Sequence, residues 1–431
     1  MIFRFCLYGF LKNQRFFEPF FLLAMLDRDL SFMQFGLLIG AQSLVQSILE
    51  IPSGVFADSL GRRRALVLSM LSYIGAFAIF GFSGTFAPLL AAAALMGFGD
   101  SFRSGTHKAM IFRWLELNGK QNQRTKIYGK TRSWSKLGSA LSALIAAGIV
   151  LATDSYTAIF FLSMIPYVVL IGSIATYPRE LDNPRAHRSH NGDGQDTDDA
   201  NQPRRSFLSP LRQVLASVRT KRELRTLLVE SVAFDSIFTS AKDYIQPAIA
   251  VIAITSGAAL FKNSQLSEIQ QTCLFVGVVF AAMSVLASLA SRHAHRLDTR
   301  GTGARTLWRA SFVIYILIAL GALADLSAVV VIAFVALYAA QNAWRPILMG
   351  RLDKVTDTAS GATLLSVEHQ ARGVAAMIGA PLIGFLVDTA SSNGSVTAYW
   401  PIGAVGVAVT LLITLAMGRN KSPFPQDNSP T

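Results

Sequence analysis

Gly54-Val55-Phe56-Ala57-Asp58-Ser59-Leu60-Gly61-Arg62-Arg63-Arg64 closes one apolar run and opens another. Gly54 offers a bare backbone to a neighbouring helix. Asp58 stands where a helix stops, free to accept backbone N–H groups from the N-terminus of another helix. Gly61 can take a left-handed turn that a side chain would resist. Arg62, Arg63 and Arg64 then anchor the turn to an anionic membrane face. The flanking runs, 34–56 and 65–83, each have the length of a membrane span, about 20 mainly apolar residues.

The same alternation fills the rest of the 431 residues. Charged residues make up 15%, against roughly 25% in a soluble chain of ordinary composition. Hydrophobic residues make up 52%, and mean hydropathy is +0.42. Most of the surface must therefore face lipid. The remaining apolar runs lie at about 4–26, 86–112, 127–152, 157–177, 227–254, 268–290, 307–324, 327–350, 361–387 and 397–417. The first, broken by Lys12-Asn13-Gln14-Arg15 and lacking a small-residue cleavage site, reads as a span rather than a signal peptide. Residues 178–226 are rich in Arg, Asp, Asn, Ser and Pro, a composition that cannot bury a core. Leu208–Leu224 at its end reads as a basic amphipathic helix on the inner leaflet. The prediction is an all-α membrane protein of about 12 transmembrane helices in two pseudo-symmetric six-helix bundles. The bundles are 1–177 and 227–418, with a cytoplasmic linker 178–226 and a cytoplasmic tail 419–431.

Net charge is +13, yet the arginines and lysines sit in alternate connectors. With a cytoplasmic N-terminus, one side holds Arg62–Arg64, Lys120, Arg124, Lys126, Arg292, Arg296, Arg300, Arg305, Arg351 and Lys354. The other holds little more than Arg28 and Lys262. This asymmetry predicts a multi-pass protein of the cytoplasmic (inner) membrane with both termini cytoplasmic. It also accounts for the positive charge without nucleic acid. Cys6 and Cys273 form no framework, and no HExxH, GxSxG or metal-spaced Cys/His cluster occurs. Neither an enzyme, a cofactor nor a metal is expected. The expected partners are a small solute, protons and membrane lipids, for a monomer.

The halves repeat weakly. Arg15-Phe16-Phe17-Glu18-Pro19 in span 1 answers Asp243-Tyr244-Ile245-Gln246-Pro247 in span 7. Arg132 and Lys136 in span 5 answer Glu368 and Arg372 in span 11; Arg103 in span 4 answers Arg345 in span 10. Three matches in order, at similar depth, argue for duplication.

The stretch from Gly54 to Arg63 fits G-x-x-x-D-x-x-G-R-[KR] between spans 2 and 3, and so resembles the major facilitator superfamily. The span count, central linker and two halves extend the resemblance over essentially the whole chain. Glu50-Ile51-Pro52-Ser53-Gly54, Ser104-Gly105-Thr106 and Gly361-Ala362-Thr363-Leu364-Leu365-Ser366 resemble motifs of one branch, populated by exporters. The resemblance implies that Gly54, Asp58, Gly61, Arg62 and Arg63 form a latch with span 11. It also implies that spans 1, 4, 7 and 10 line a central cavity flanked by 2, 5, 8 and 11.

A charged side chain at the centre of a span costs about 2.5–3.5 kcal/mol on insertion scales. Such residues must pair or face water. They fall on the spans that the resemblance makes central or flanking, and scarcely on spans 3, 6, 9 and 12. Arg15, Arg103, Lys136 and Arg372, with Gln246 and Gln341, are the candidate solute-binding residues; their basic excess points to an anionic or zwitterionic solute. Arg15 and Asp243 hold equivalent positions and are expected to face each other across the cavity. Trp134, Tyr244 and Trp344 read either as stacking platforms or as packing. Lys12, Arg345 and His107 read as interfacial. Glu368, Arg372 and Arg132 read equally as structural ion pairs. Asp243 and Asp100, then Glu18 and Asp235, are the candidate proton carriers, since coupling needs a buried carboxylate. The expected function is secondary active transport by alternating access, proton-coupled, with export favoured. The competing readings are a proton-driven exporter of lipophilic drugs and a membrane sensor of the same architecture that moves nothing.

Overall fold

A computed structural model of the chain describes residues 1–182, 222–260, 266–298, 302–353, 358–390 and 396–419. All regular structure among them is helical. Among the described residues nine helices are long and apolar enough to cross a membrane: Phe32–Leu60, Arg62–Phe82, Gln121–Thr153, Thr157–Ala175, Glu268–Leu297, Gly303–Leu323, Ser327–Leu352, Leu364–Ala390 and Val396–Ala416. These are spans 2, 3, 5, 6 and 8 to 12. Spans 1, 4 and 7 complete twelve, each broken part-way. The predicted linker, including its amphipathic segment, and most of the predicted tail lie outside the described residues.

The breaks have local causes. Span 1 runs Ile2–Leu11, then a 3-10 turn Glu18–Phe20, then Phe21–Leu26. Pro19 has no N–H and its ring opposes the carbonyl four residues back, at Arg15. Span 7 runs Arg222–Ala241, a turn Lys242–Tyr244, then Ile245–Leu260, with Pro247 opposing the carbonyl of Asp243 in the same way. The weak repeat between these two stretches thus encodes one shared backbone break. Span 4 runs Phe86–Arg103 and Thr106–Leu117, parted at Ser104 and at Gly105, whose φ is +73°.

Outward faces are apolar, with Phe82, Ile165, Leu320, Ile332 and Leu412 among the exposed side chains. That is the pattern of a surface meeting lipid. Span 3 packs on 4 and 6, and span 9 on 10 and 12. The two sets of six meet chiefly where span 2 packs on 11 and span 5 on 8.

Those meetings occur away from the arginine-rich turn. A Cβ on Gly36 would collide with the carbonyl of Ala380, and one on Gly384 with that of Phe32. Asp388 of span 11 accepts from the backbone N–H groups of Phe32 (2.9 Å) and Met33 (2.8 Å), where span 2 starts. Gln270 of span 8 donates to the carbonyl of Leu151 of span 5 at 2.9 Å. Toward the other end, Gly54 is exposed among the described residues, and a Cβ there would meet none of them within 4 Å. Among the described residues close approaches of spans 2 and 11 are made at Gly36 and Gly384. The end carrying Arg62–Arg64 is called the basic end below.

Candidate solute cavity

A cavity of about 470 Å³ lies in the first six spans, with Gln46 of span 2 and His369 of span 11 on its wall. Its basic lining comprises Lys12, Arg103, Lys108, Arg132 and Lys136; Asp100 is its one carboxylate. The break in span 4 lets Arg103 turn inward at the end of the first half-helix, just before Ser104 and Gly105. Lys136 reaches across to the second half, donating to Asn342 Oδ1 at 3.2 Å. Lys12 lies 6.0 Å from the centre of the Tyr8 ring, which stacks on His107 at 3.6 Å. Lys108 sits between Phe112 and Tyr128, 5.5 and 5.4 Å from their ring centres.

Asp100 is buried and fully engaged. Arg103 contacts Oδ1 at 2.8 Å and Arg15 at 3.4 Å. Tyr73 donates its hydroxyl to the same oxygen, and Gln42 donates to Oδ2 at 2.8 Å. Arg15 also donates to the Tyr167 hydroxyl at 2.9 Å and lies over the Tyr73 ring, 4.9 Å from its centre. Spans 1, 2, 3 and 4 therefore meet on one carboxylate, and span 6 joins through Arg15. One positive charge is left over, and Arg103 carries it to the cavity wall.

The second half holds a different arrangement. Asp235 of span 7 is 2.6 Å from Arg372 and 3.9 Å from Arg345. Glu368 is 2.8 Å from Arg345 and 3.1 Å from Arg372. Gln341 donates to Asp235, and Ser231 donates to Glu368 at 2.5 Å. Both carboxylates are buried. Two anions and two cations balance, and none of the four lines the cavity.

Residues 5–368 match the family described as Major Facilitator Superfamily. The chain belongs to that superfamily. An uncharacterized MFS-type transporter, YxaM of Bacillus subtilis (strain 168), is 31% identical over 97 residues, 22% of this chain and 24% of that one. The match therefore spans about a quarter of that relative. Among solved structures, a mutant form of the nucleoside transporter NupG aligns with a TM-score of 0.75 at 14% identity, covering 97% of this chain and 100% of the other. A bacterial homolog of the human lysosomal transporter Spinster, in an inward-facing and unoccupied conformation, aligns at 0.64 and 13% identity, covering 98% and 97%. At such identities these likenesses carry the fold alone.

Within this superfamily fold the predicted site residues separate. Arg103 and Lys136 reach the cavity; Arg15 stands behind it on Asp100. Arg372 belongs to the balanced quartet, and Gln341 donates to its Asp235. Gln246 is fully buried and clamps the break in span 1. Its side-chain oxygen accepts from Leu22 N at 2.8 Å and Leu23 N at 3.4 Å, and its amide donates to the Glu18 carbonyl at 3.1 Å. Those N–H groups lost their helical partners at the break, so Gln246 is a backbone cap. Asp243 is held by Lys242 at 2.7 and 2.9 Å, not opposed to Arg15. Glu18 is exposed beside the break. Trp344 stacks on Phe234 and Tyr244 on Phe32; Trp134 meets Phe3 and Phe10 edge-on. All three pack and none lines the cavity.

Of the three residues read as interfacial, Arg345 is an ion-pair partner, and Lys12 and His107 line the cavity. At the turn after span 2, Gly61 has φ +110°. Asp58 pairs with Arg62 at 3.6 Å, and Arg63 pairs with Asp182 at 3.0 Å. Asp182 also accepts from Arg63 N at 2.7 Å. The side chains that open span 11, toward which the latch would reach, lie outside the described residues.

Proposed function

We propose that this superfamily member carries a small organic anion, or a zwitterion with an exposed acidic group, across the inner membrane by alternating access. One observation carries the reading: five cationic side chains face the cavity, and its one carboxylate is already neutralised by Arg15 and Arg103. An anion entering there completes an unbalanced charge set in a water-poor site, where such contacts are strong. Arg103, Lys136, Arg132 and Lys12 are the proposed contacts, with Tyr8 and Tyr128 against apolar parts of the solute.

The basic end is taken as cytoplasmic, with both termini there. On that assignment this arrangement is open inward and closed outward by Asp388 and the span 5–span 8 contacts. Asp58 would then do for span 11, in the opposite state, what Asp388 does here for span 2, with Gly54, Gly61, Arg62 and Arg63 completing the latch. Coupling to protons and export are proposed with it. Of the carboxylates first considered, Asp100 and Asp235 are occupied by arginines, which supports a structural role for both. Glu18, exposed at the break in span 1, is freer to exchange a proton than Asp243, which Lys242 holds at 2.7 Å.

The test is flux into proteoliposomes of labelled mono- and dicarboxylates and organic phosphates, against cationic and neutral lipophilic compounds. Saturable anion flux that falls in Lys136→Gln supports the reading. Flux of cations or neutral compounds alone overturns it. Anion flux that is indifferent to collapsing a pH gradient removes the coupling.

A further inference from the structure

Glu50 belongs to the Glu50-Ile51-Pro52-Ser53-Gly54 stretch, to which the anion cavity gives no role. Its Oε2 lies 2.5 Å from His369 Nδ1, a close electrostatic contact in which neither atom is aligned for a hydrogen bond in this arrangement. The Gln46 amide lies 3.5 Å from the other ring nitrogen, and by rotating it can serve a neutral or a protonated ring. Glu50 and Gln46 are on span 2, His369 on span 11. Among the described residues this is the one ion pair that joins the first six spans to the second six.

Its position is as informative as its chemistry. One turn toward the closed end, Ser47 presses on Gly373. One turn toward the basic end, a Cβ on Gly54 would meet none of the described residues within 4 Å, the side chains of residues 361–363 of span 11 lying outside them. The pair therefore sits at the basic-end limit of the described contacts between spans 2 and 11. His369 lines the cavity and its side chain is 30% exposed, so water reaches it. The charges around it are few. Span 2 offers Glu50 alone. On its own span, Glu368 and Arg372 are committed to the quartet. From across the cavity come Lys12, Arg103, Arg132 and Lys136, with Asp100 held by its arginines.

We propose that Glu50 and His369 form the proton-binding site of this carrier. A proton shared between them clamps span 2 to span 11 and holds the molecule open at its basic end; its loss weakens the clamp and frees the spans to move. A protonated imidazole facing a carboxylate makes a charge-assisted bond that a neutral ring does not. The assignment rests on the carrier reading and places coupling outside Asp243, Asp100, Glu18 and Asp235.

The test reads conformation rather than flux. Spin labels at Leu117→Cys and Leu297→Cys, exposed near the basic ends of spans 4 and 8, report the opening in the full chain in nanodiscs, with Cys6→Ala and Cys273→Ser removing the native thiols. Between about pH 8.5 and about pH 5, across the range in which histidine titrates, the long-distance population should grow. That response should vanish in Glu50→Gln and in His369→Gln, and return in the exchanged pair E50H/H369E. The exchanged pair also guards against a single variant that fails to fold. Distances indifferent to pH in the unmutated pair, or a response surviving both single variants, overturn the proposal. An intact response without anion flux would instead sink the carrier reading alone.

Discussion

The two halves descend from one pattern but balance their buried charge differently. The first buries one carboxylate, Asp100, against Arg15 and Arg103. The second buries two, Asp235 and Glu368, against Arg345 and Arg372. Arg103 and Arg345 occupy matching places, yet one faces a cavity and the other a second carboxylate. A closed set of charges welds spans 7, 10 and 11 together. On the proposed reading, the open set keeps a cation for the anion, and the difference assigns scaffold to one half and recognition to the other.

The largest effect should come from breaking the closed set. Glu368→Ala leaves two guanidiniums to share Asp235, and removing one partner of a buried pair costs about 3–5 kcal/mol. Thermal unfolding of the purified protein should show it, while Lys136→Ala leaves the unfolding temperature nearly unchanged. Next comes the open set. Lys136→Gln removes a charged contact worth about 1.5–3 kcal/mol, so anion affinity in proteoliposome flux should fall about 10- to 100-fold with little loss of stability. Equal destabilisation by both variants would erase the division of labour. Removing both members of a closed pair is gentler: Glu368→Gln with Arg345→Gln should recover most of the stability lost by Glu368→Ala, because a neutral buried pair avoids the desolvation penalty. Smallest are the neutral donors. Tyr73→Phe removes two hydrogen bonds, one donated to Asp100 and one accepted from Arg103, and Ser231→Ala removes one, donated to Glu368, each worth about 0.5–1.5 kcal/mol. Of these two, Tyr73→Phe alone should also alter anion affinity, since it frees Arg103, to whose Nε the hydroxyl is bonded at 3.0 Å.

The sequence carried the spans because apolar length is a one-dimensional signal. It carried the matched breaks of spans 1 and 7 because proline acts on its own backbone. It also placed the ions on the correct spans, since cost in lipid depends on depth. What it could not carry was partner choice. Arg15, Arg103, Arg345 and Arg372 look alike along the chain, and their meaning depends on which carboxylate the packing presents. Gln246 resembled a ligand group because the N–H groups it caps belong to Leu22 and Leu23, more than two hundred residues earlier. Asp388 and Asp182 sit at helix ends, where an isolated acid reads as an ordinary boundary. Lys12 and His107 were legible as polar, but which way the broken spans would turn them was not.

The clamp that Gln246 makes on span 1 has a mechanical consequence. It ties the two broken helices together close to the outer mouth, at Leu22 and Leu23, whereas Ile2 lies on the order of 30 Å away along the span. A tilt about such an off-centre fulcrum moves the two mouths unequally. A few degrees would part the short arm by little more than a water molecule while swinging the long arm by several times as much. With the basic end taken as cytoplasmic, as proposed above, the outer vestibule should therefore be a narrow slot and the inner one a wide funnel.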